Sequence, residues 1–230
     1  ARRVGAEIVR AFAARGDAIV LHHGSSPADA EHLAAELQAT GTPVHIVAAD
    51  LRDVTAPARI VAEAMRAFGR LDVVVSSASL MMNHAFDAVT ADEWDTVSDI
   101  NLRAPFFLSQ AAARVMLPGS NIIHMCDHLA SEARFPQLIP HQATKAGVAN
   151  LVSTLAGALA PHIRVNGVAP GLVLKPDSLS PEREAAFLRD VPMARSGTPA
   201  DVTHAILFLV EASYITGVVL PVDGGRHLWR

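Results

Sequence analysis

The chain has 230 residues, half of them apolar, a formal net charge of −4 and one cysteine, which suits a single well-buried domain without a disulfide framework. Because the charge is weakly negative and lysines and arginines form no block, the sequence predicts neither nucleic acid nor a membrane surface as a partner. The apolar stretches are far too short to span a membrane and no signal-peptide pattern is present, so we expect a soluble, cytoplasmic protein.

Short β-branched runs alternate with alanine-rich segments of helical period along the chain. The predicted strands cover 18–23, 44–48, 71–76, 121–126, 163–168 and 218–221. The predicted helices cover 4–15, 28–40, 56–68, 91–116, 141–159 and 199–211. Strands joined by helical crossovers form a parallel sheet with helices on both faces, so the pattern predicts an α/β fold with a single-domain, Rossmann-type, doubly wound sheet. Ligands of such a sheet bind at the carboxyl ends of its strands.

The first predicted element is a helix, which begins within Ala1-Arg2-Arg3-Val4-Gly5. A doubly wound sheet has its first strand at the centre, and without that strand two neighbouring strands would be left unpaired. We therefore expect a strand and a Thr-Gly pair to precede Ala1 in the natural polypeptide.

Several motifs, in their order along the chain, resemble those of the short-chain dehydrogenase/reductase family. Residues 1–5 are similar to the end of its T-G-x-x-x-G-x-G turn, with Arg3 at the middle glycine. The further matches are Asp50-Leu51 with an adenine-contacting pair, Ser76-Ser77-Ala78-Ser79 with the N-N-A-G turn, Asn101 with a helix asparagine, residues 164–171 with a Pro-Gly turn, and Asp223-Gly224-Gly225 with a C-terminal D-G-G. The resemblance implies a nicotinamide cofactor, oxidoreductase activity and a small-molecule substrate.

The cofactor is expected to be NADPH/NADP rather than NAD. An NAD enzyme of this type carries an acidic residue after the second strand to bind the ribose 2′-hydroxyl, whereas residues 22–26 read His-His-Gly-Ser-Ser. Arg2 and Arg3 with Ser25 and Ser26 can form a 2′-phosphate pocket. In the alternative interpretation, the arginines are solvated and the serines only cap a helix. The predicted cofactor-binding residues are Arg2, Arg3, Val4, His23, Ser25, Ser26, Asp50, Leu51, Ser77, Ala78, Ser79, Lys145, Pro170, Gly171 and Val173.

The predicted catalytic residues are Asn101, Asp127, His141 and Lys145. His141 and Lys145 are one helical turn apart and share a face. By resemblance, His141 stands where the family carries its catalytic tyrosine, Lys145 holds the nicotinamide ribose and Asn101 supports a water. Asp127, Arg3 and Ala78-Ser79 resemble the pteridine reductase branch, in which such an aspartate takes part in proton delivery. Alternatively, Asp127 is a turn residue after a strand.

Three functions stay open on the sequence. A histidine with a reference pKa of roughly 6.5 can serve as a general acid, which favours an NADPH-dependent reductase of a carbonyl or pteridine-type compound. Loss of the tyrosine favours an NADP(H)-binding pseudoenzyme with a sensing or scaffolding role. A structural subunit that binds no nucleotide is the third. Leu80-Met81-Met82 departs from the pteridine branch, which carries an aromatic residue there.

The histidines lack the spacing of metal ligands, so no metal site is predicted. The resemblance implies a homo-oligomer, a tetramer or a dimer. The predicted contact runs through helices 91–116 and 141–159, where Ala112, Ala113, Ala156 and Ala160 would allow close packing.

Overall fold

The structure is a computed structural model and describes residues 2–131, 135–175 and 179–228. The strands are Ile19–His23 (β1), Val44–Ala48 (β2), Val73–Ser76 (β3), Ser120–Met125 (β4), Ile163–Pro170 (β5) and Val219–Val222 (β6). The helices are Arg3–Ala14 (α1), Pro27–Ala39 (α2), Ala56–Phe68 (α3), Ala91–Ser98 (α4), Ala104–Ala113 (α5), Ile139–Leu159 (α6), Pro181–Leu188 (α7) and Pro199–Glu211 (α8). This alternation confirms the predicted α/β class.

Every strand pairing is parallel, which confirms the predicted direction of the strands. The order is β1-β2 in one sheet and β3-β4-β5-β6 in a second. Leu21 of β1 lies in the same buried cluster as Ile123 of β4, Val168 of β5 and Ile206 of α8, so both sheets share one core. Within the described ranges, the second edge of β1 and that of β3 pair with no strand. The strand expected ahead of Ala1 stays a prediction.

The prediction of one continuous helix over 91–116 is wrong. This stretch is divided into α4 and α5 by a π-helical segment, Asp99–Arg103. Pro105 explains the position of the break, because proline has no N–H to donate to the carbonyl of Asn101 four residues earlier. The π-helical segment buries Asn101, whose side chain points away from solvent with 1 % exposure. Sequence reasoning also missed α7, which begins after a Ser180 cap that accepts a hydrogen bond from the Arg183 N–H.

The prediction of an oligomer contact is wrong for two of its four alanines. Ala112 and Ala156 are 0 % and 4 % exposed and pack in the protein's own core against Ile122 and Val165. Small residues at these positions let α5 and α6 approach the sheet, and they offer no surface to a second subunit. No helix within the described ranges is long and apolar enough to cross a membrane.

Gly167 of β5 allows the chain to pack closely just below the candidate site. A Cβ atom at this position would lie 2.9 Å from Cys126 Sγ and 3.1 Å from Val152 Cγ2. Cys126 directly precedes Asp127. The close packing of Cys126 against Gly167 therefore helps to position Asp127 at the end of β4.

We predict that Gly167→Ala lowers the free energy of unfolding by about 1–3 kcal/mol, because the added methyl overpacks the core. Gly157→Ala is the matched control, since a Cβ there meets no atom within 4 Å. That control replaces a helical glycine and is expected to raise stability by roughly 0.5 kcal/mol. Urea unfolding of both variants checks this, and equal stability of Gly167→Ala and the wild type would contradict it.

Candidate active site

Asp127 and His141 form a hydrogen-bonded pair at the carboxyl end of the sheet. Asp127 follows β4, and His141 lies in the first turn of α6. His141 Nε2 is 3.0 Å from Asp127 Oδ2, and His141 Nδ1 is 3.2 Å from the Leu80 carbonyl oxygen. The expected proximity of these two predicted catalytic residues is therefore present in the structure.

The partners of His141 determine how many protons the pair holds. His141 Nδ1 also lies 3.5 Å from Asn101 Nδ2. Because the contact with the Leu80 carbonyl is shorter and a carbonyl oxygen only accepts hydrogen bonds, we place a proton on Nδ1. The contact between Nε2 and Asp127 requires a second proton, on the imidazole or on the carboxyl group. Both distributions contain one proton that can move between His141 and Asp127. The arrangement is chemically a proton donor.

Asn101 fixes the backbone that holds the histidine. Its Oδ1 accepts from the Leu80 N–H at 2.7 Å, and its Nδ2 donates to the Leu80 carbonyl at 2.8 Å. Nδ2 also donates to Thr144 Oγ1 at 3.2 Å, and Thr144 Oγ1 donates to the His141 carbonyl at 2.8 Å. Both amide hydrogens of Asn101 are thus used, and Leu80 is held at both of its main-chain polar atoms.

The two members of the pair differ in their exposure to solvent. The side chain of His141 is 2 % exposed, whereas that of Asp127 is 18 % exposed, so Asp127 is the member that a substrate can reach. Burial by itself raises the pKa of the Asp127 carboxyl. Hydrogen bonds from His128 and His141 outweigh that effect and hold the pKa well below its usual range. The Asp127 carboxyl is therefore mainly ionised.

Lys145 lies one turn along α6 from His141 and is 3 % exposed. Its Nζ donates to the Met125 carbonyl at 2.7 Å, which places the ammonium under the end of β4. Burial lowers the pKa of Lys145, and the neighbouring Asp127 carboxylate partly offsets this. An ammonium group has three hydrogens, so this contact uses one of them.

Apart from Lys145 in α6, the predicted cofactor residues lie at the start of α1, at the ends of β1 and β5, and on the loops that follow β1, β2, β3 and β5. At Gly5, a Cβ atom would lie 3.5 Å from Ser77 Oγ, so the start of α1 and the turn after β3 are adjacent. Arg3 has a left-handed backbone with φ of 53°. Val4 follows in α1, and Ala78 and Ser79 lie between Ser77 and Leu80.

Arg2 lies beside the start of α2. Its Nε is 3.4 Å from Asp29 Oδ2 in the first turn of that helix. Ser26 is the N-cap residue of α2 and its side chain accepts no capping hydrogen bond, and Ser25 precedes it. Arg2, Ser25 and Ser26 therefore lie around one helix N-terminus, which favours an anion.

The loops after β1 and β2 contact each other. His22 Nε2 donates to the Ala49 carbonyl at 2.9 Å, and burial lowers the pKa of His22. His23 is buried, and its Nδ1 has no hydrogen-bond partner among the described residues. Asp50, followed by Leu51, is exposed, and its two carboxylate oxygens accept from Arg52 at 2.5–3.1 Å. A ligand at Asp50 would have to share these oxygens with Arg52.

The turn after β5 is held by packing and by hydrogen bonds. A Cβ atom at Gly171 would lie 2.9 Å from the Cα of Asp223, and the Gly171 N–H donates to the Val222 carbonyl at 2.9 Å. These contacts explain the glycine without a cofactor. The carbonyl of Pro170 accepts from His128 Nδ1 at 2.9 Å, and Val173 packs against Gly197.

Sequence reasoning missed three groups that complete the site: the Leu80 carbonyl, the Thr144 hydroxyl and the His128 ring. Main-chain acceptors have no sequence signature. Thr144 faces the same side of α6 as His141, and this helical spacing was a usable signal. Among the described residues, no cluster of His, Cys, Asp and Glu is placed to hold a metal ion.

The sequence matches the family described as enoyl-(acyl carrier protein) reductase over residues 1–227. The chain belongs to the short-chain dehydrogenase/reductase family of oxidoreductases, as its motifs predicted. It is 31% identical to the 3-oxoacyl-(acyl-carrier-protein) reductase of Staphylococcus aureus over an alignment of 233 positions, which covers 99% of this chain and 95% of that protein.

Solved structures support the same assignment. A blue fluorescent protein from a metagenomic library in complex with NADPH matches with a TM-score of 0.93 and 31% identity, over 98% of this chain and 94% of that chain. A short chain dehydrogenase from Burkholderia cenocepacia in complex with NADP matches with a TM-score of 0.93 and 29% identity, over the same shares of the two chains. The single-domain Rossmann-type fold is confirmed.

His124 of β4 is a second buried histidine near Lys145. It donates from Nε2 to Ser109 Oγ at 3.1 Å, because the Ser109 hydroxyl itself donates to the Pro105 carbonyl. Burial, together with the charge of Lys145, lowers the pKa of His124 to about 4. The unfolded chain therefore binds a proton here below about pH 6.5, while the folded protein binds it only near pH 4.

We predict that folded stability falls as the pH decreases from about 6.5 to 4, by about 3 kcal/mol from this group alone. The variant His124→Gln keeps a donor to Ser109 but cannot titrate, so its unfolding free energy should depend less on pH in this window. Urea unfolding at several pH values measures the difference. Parallel pH dependence of the two proteins would contradict the prediction.

Proposed function

We propose that this protein is an NADPH-dependent reductase that acts on a carbonyl or pteridine-type small molecule. The observation that carries the proposal is the contact between Asp127 and His141, which keeps a transferable proton at the carboxyl end of the sheet. Asn101 and Lys145 lie beside this pair, and the same constellation of four side chains was expected from the sequence.

The residues present fit a phosphorylated dinucleotide. The unpartnered Nδ1 of His23 would gain a partner from a ligand at the carboxyl end of β1. The first turn of α1 would receive a pyrophosphate, and Arg2 with Ser25 and Ser26 would receive the 2′-phosphate. Two similar proteins of known structure are complexes with NADPH and NADP. When bound, NADPH supplies the hydride for reduction.

The protein's own residues supply the proton. Asp127 contacts the substrate atom that gains the proton, because it is the more exposed member of the pair. His141 passes its Nε2 proton through Asp127 and keeps its Nδ1 proton on the Leu80 carbonyl. After the transfer, the Nε2 lone pair faces the carboxylate across 3.0 Å. This repulsion favours uptake of a new proton, which restores the pair.

The substrate side includes Met81, whose side chain is 52 % exposed. A thioether packs against a flat ring with less shape selectivity than an aromatic side chain. The pair Asp127–His141 can protonate a carbonyl oxygen or a ring nitrogen. The assay therefore includes both classes of substrate.

The burial of His141, with both ring nitrogens hydrogen-bonded, favours a second candidate. In that case the protein binds NADP(H) without turnover, and the histidine only fills the site left by a tyrosine. Tyr214, the only tyrosine of the chain, is fully exposed and does not replace it.

We predict that the wild type consumes NADPH with a dihydropteridine or a simple ketone, and that His141→Ala lowers kcat by about 10²–10⁴-fold, the usual contribution of a general acid. Asp127→Asn should cause a loss of similar size. His162→Ala serves as the control, since His162 is exposed after α6. Loss of NADPH absorbance at saturating substrate measures kcat.

The variant His141→Tyr separates the two candidates. Activity of the wild type that is lost in His141→Ala supports the reductase. Activity in His141→Tyr alone would contradict the proposed proton donor and would identify a cofactor-binding relative that no longer catalyses the reaction.

We predict that Arg2→Ala raises the KM for NADPH by roughly 3- to 10-fold, as expected for one partly exposed charge-assisted contact, and leaves the KM for NADH unchanged. Asp29→Asn is the matched control. It removes the partner of Arg2 and a negative charge but leaves the guanidinium available, so NADPH should bind at least as well. An equal loss for both cofactors in Arg2→Ala would contradict the 2′-phosphate pocket.

A homo-oligomer, a dimer or a tetramer, stays part of the proposal. Its contact cannot include Ala112 or Ala156, so the outward side of α6, which carries Asn150, Ser153 and Thr154, is the better candidate. Light scattering of the purified protein gives the subunit number.

A further inference from the structure

His128 is a buried histidine directly after Asp127, and the proposed reaction does not yet use it. Its side chain is 8 % exposed. His128 Nδ1 is 3.1 Å from Asp127 Oδ1 and 2.9 Å from the Pro170 carbonyl oxygen. The carbonyl only accepts, so Nδ1 carries a hydrogen. That hydrogen is directed at the carbonyl, and the carboxylate oxygen lies beside it as a second, more distant acceptor.

The two oxygens of Asp127 therefore have separate partners. Oδ2 faces His141 Nε2 at 3.0 Å. Oδ1 accepts from the Leu129 N–H at 2.8 Å and faces His128. A carboxylate held at both ends cannot rotate about its last bond without losing a charge-assisted hydrogen bond.

We propose that His128 is a positioning residue, which holds Asp127 Oδ2 toward His141 and joins the proton-donating pair to the turn at Pro170. This inference rests on the proposed function, because it assigns a second histidine to the same site. Pro170 borders the predicted cofactor position. A single hydrogen thus links the two halves of the site, the proton donor and the cofactor turn.

The surroundings of His128 contain both rings and charges. The ring of Phe187 in α7 packs edge-on against it with centroids 6.0 Å apart, and Arg226 stacks on Phe187 at 3.9 Å. Behind Asp127 and His128 lies a cavity of about 300 Å³, which Asp223 and His227 also line. His227 Nδ1 is 2.9 Å from Asp223 Oδ2.

This cavity makes a chemical test possible. The substitution His128→Ala would leave space that is continuous with a cavity of about 300 Å³, which is many times the volume that one water needs. Free imidazole can therefore reach Asp127 Oδ1 and replace the lost donor. The substitution His128→Asn places an amide N–H near the position of Nδ1 and keeps the donor without an imidazole ring.

We predict that His128→Ala lowers kcat by about 10- to 100-fold, the effect of a misplaced reacting group, and that added imidazole restores part of it. His128→Asn should keep kcat within about threefold of the wild type, because the hydrogen bond is retained. Imidazole should not affect the wild type. A fully active His128→Ala would overturn the proposal. So would the combination of a His128→Asn as impaired as His128→Ala and a His128→Ala that added imidazole does not restore.

A second readout does not need turnover. In protein with ¹³C-labelled aspartate carboxyl groups, the NMR signal of Asp127 is assigned from its absence in Asp127→Asn. Loss of a donor to a carboxylate raises its pKa, so the Asp127 signal should titrate at higher pH in His128→Ala than in His128→Asn or the wild type. Identical titrations would overturn the positioning role even if the protein proves inactive, whereas the expected shift without NADPH consumption would leave only the proposed reaction in error.

Discussion

The 3.0 Å contact between Asp127 and His141 constrains the groups around it. The imidazole is buried, so its second nitrogen needs an acceptor of its own, and the Leu80 carbonyl provides it. That carbonyl must be held in place, which occupies the side chain of Asn101. The position of Asn101 depends in turn on a helix that changes its winding ahead of Pro105.

Much of this arrangement was accessible from the sequence because parallel strands end at one edge of a sheet. Residues that follow different strands must then lie together, even when they are far apart in the chain. Asn101 after β3 and Asp127 after β4 are examples, and the structure brings both of them to His141. The helix boundaries were less accessible, since proline within a helix can either end it or alter its winding.

The remaining features depend on packing, which one sequence does not reveal. The alanines at 112 and 156 have the composition of a subunit contact, yet they face the sheet, because helical period alone does not say which of two apolar sides is covered. From the sequence alone, His128 had no predicted function. The positioning role that we propose for it depends on the carbonyl of Pro170, which lies 42 residues later in the chain and at hydrogen-bond distance.

The acceptor for His141 belongs to the main chain at Leu80, and this has a consequence for how the protein can change. A peptide carbonyl is the same whatever side chain its residue carries. The side chains of Leu80 and Met81 can therefore vary, and with them the shape offered to a substrate, while the proton donor keeps its geometry. In the reductase that we propose, substrate preference and acid chemistry would depend on different atoms of one loop, so related proteins could diverge in the first without rebuilding the second.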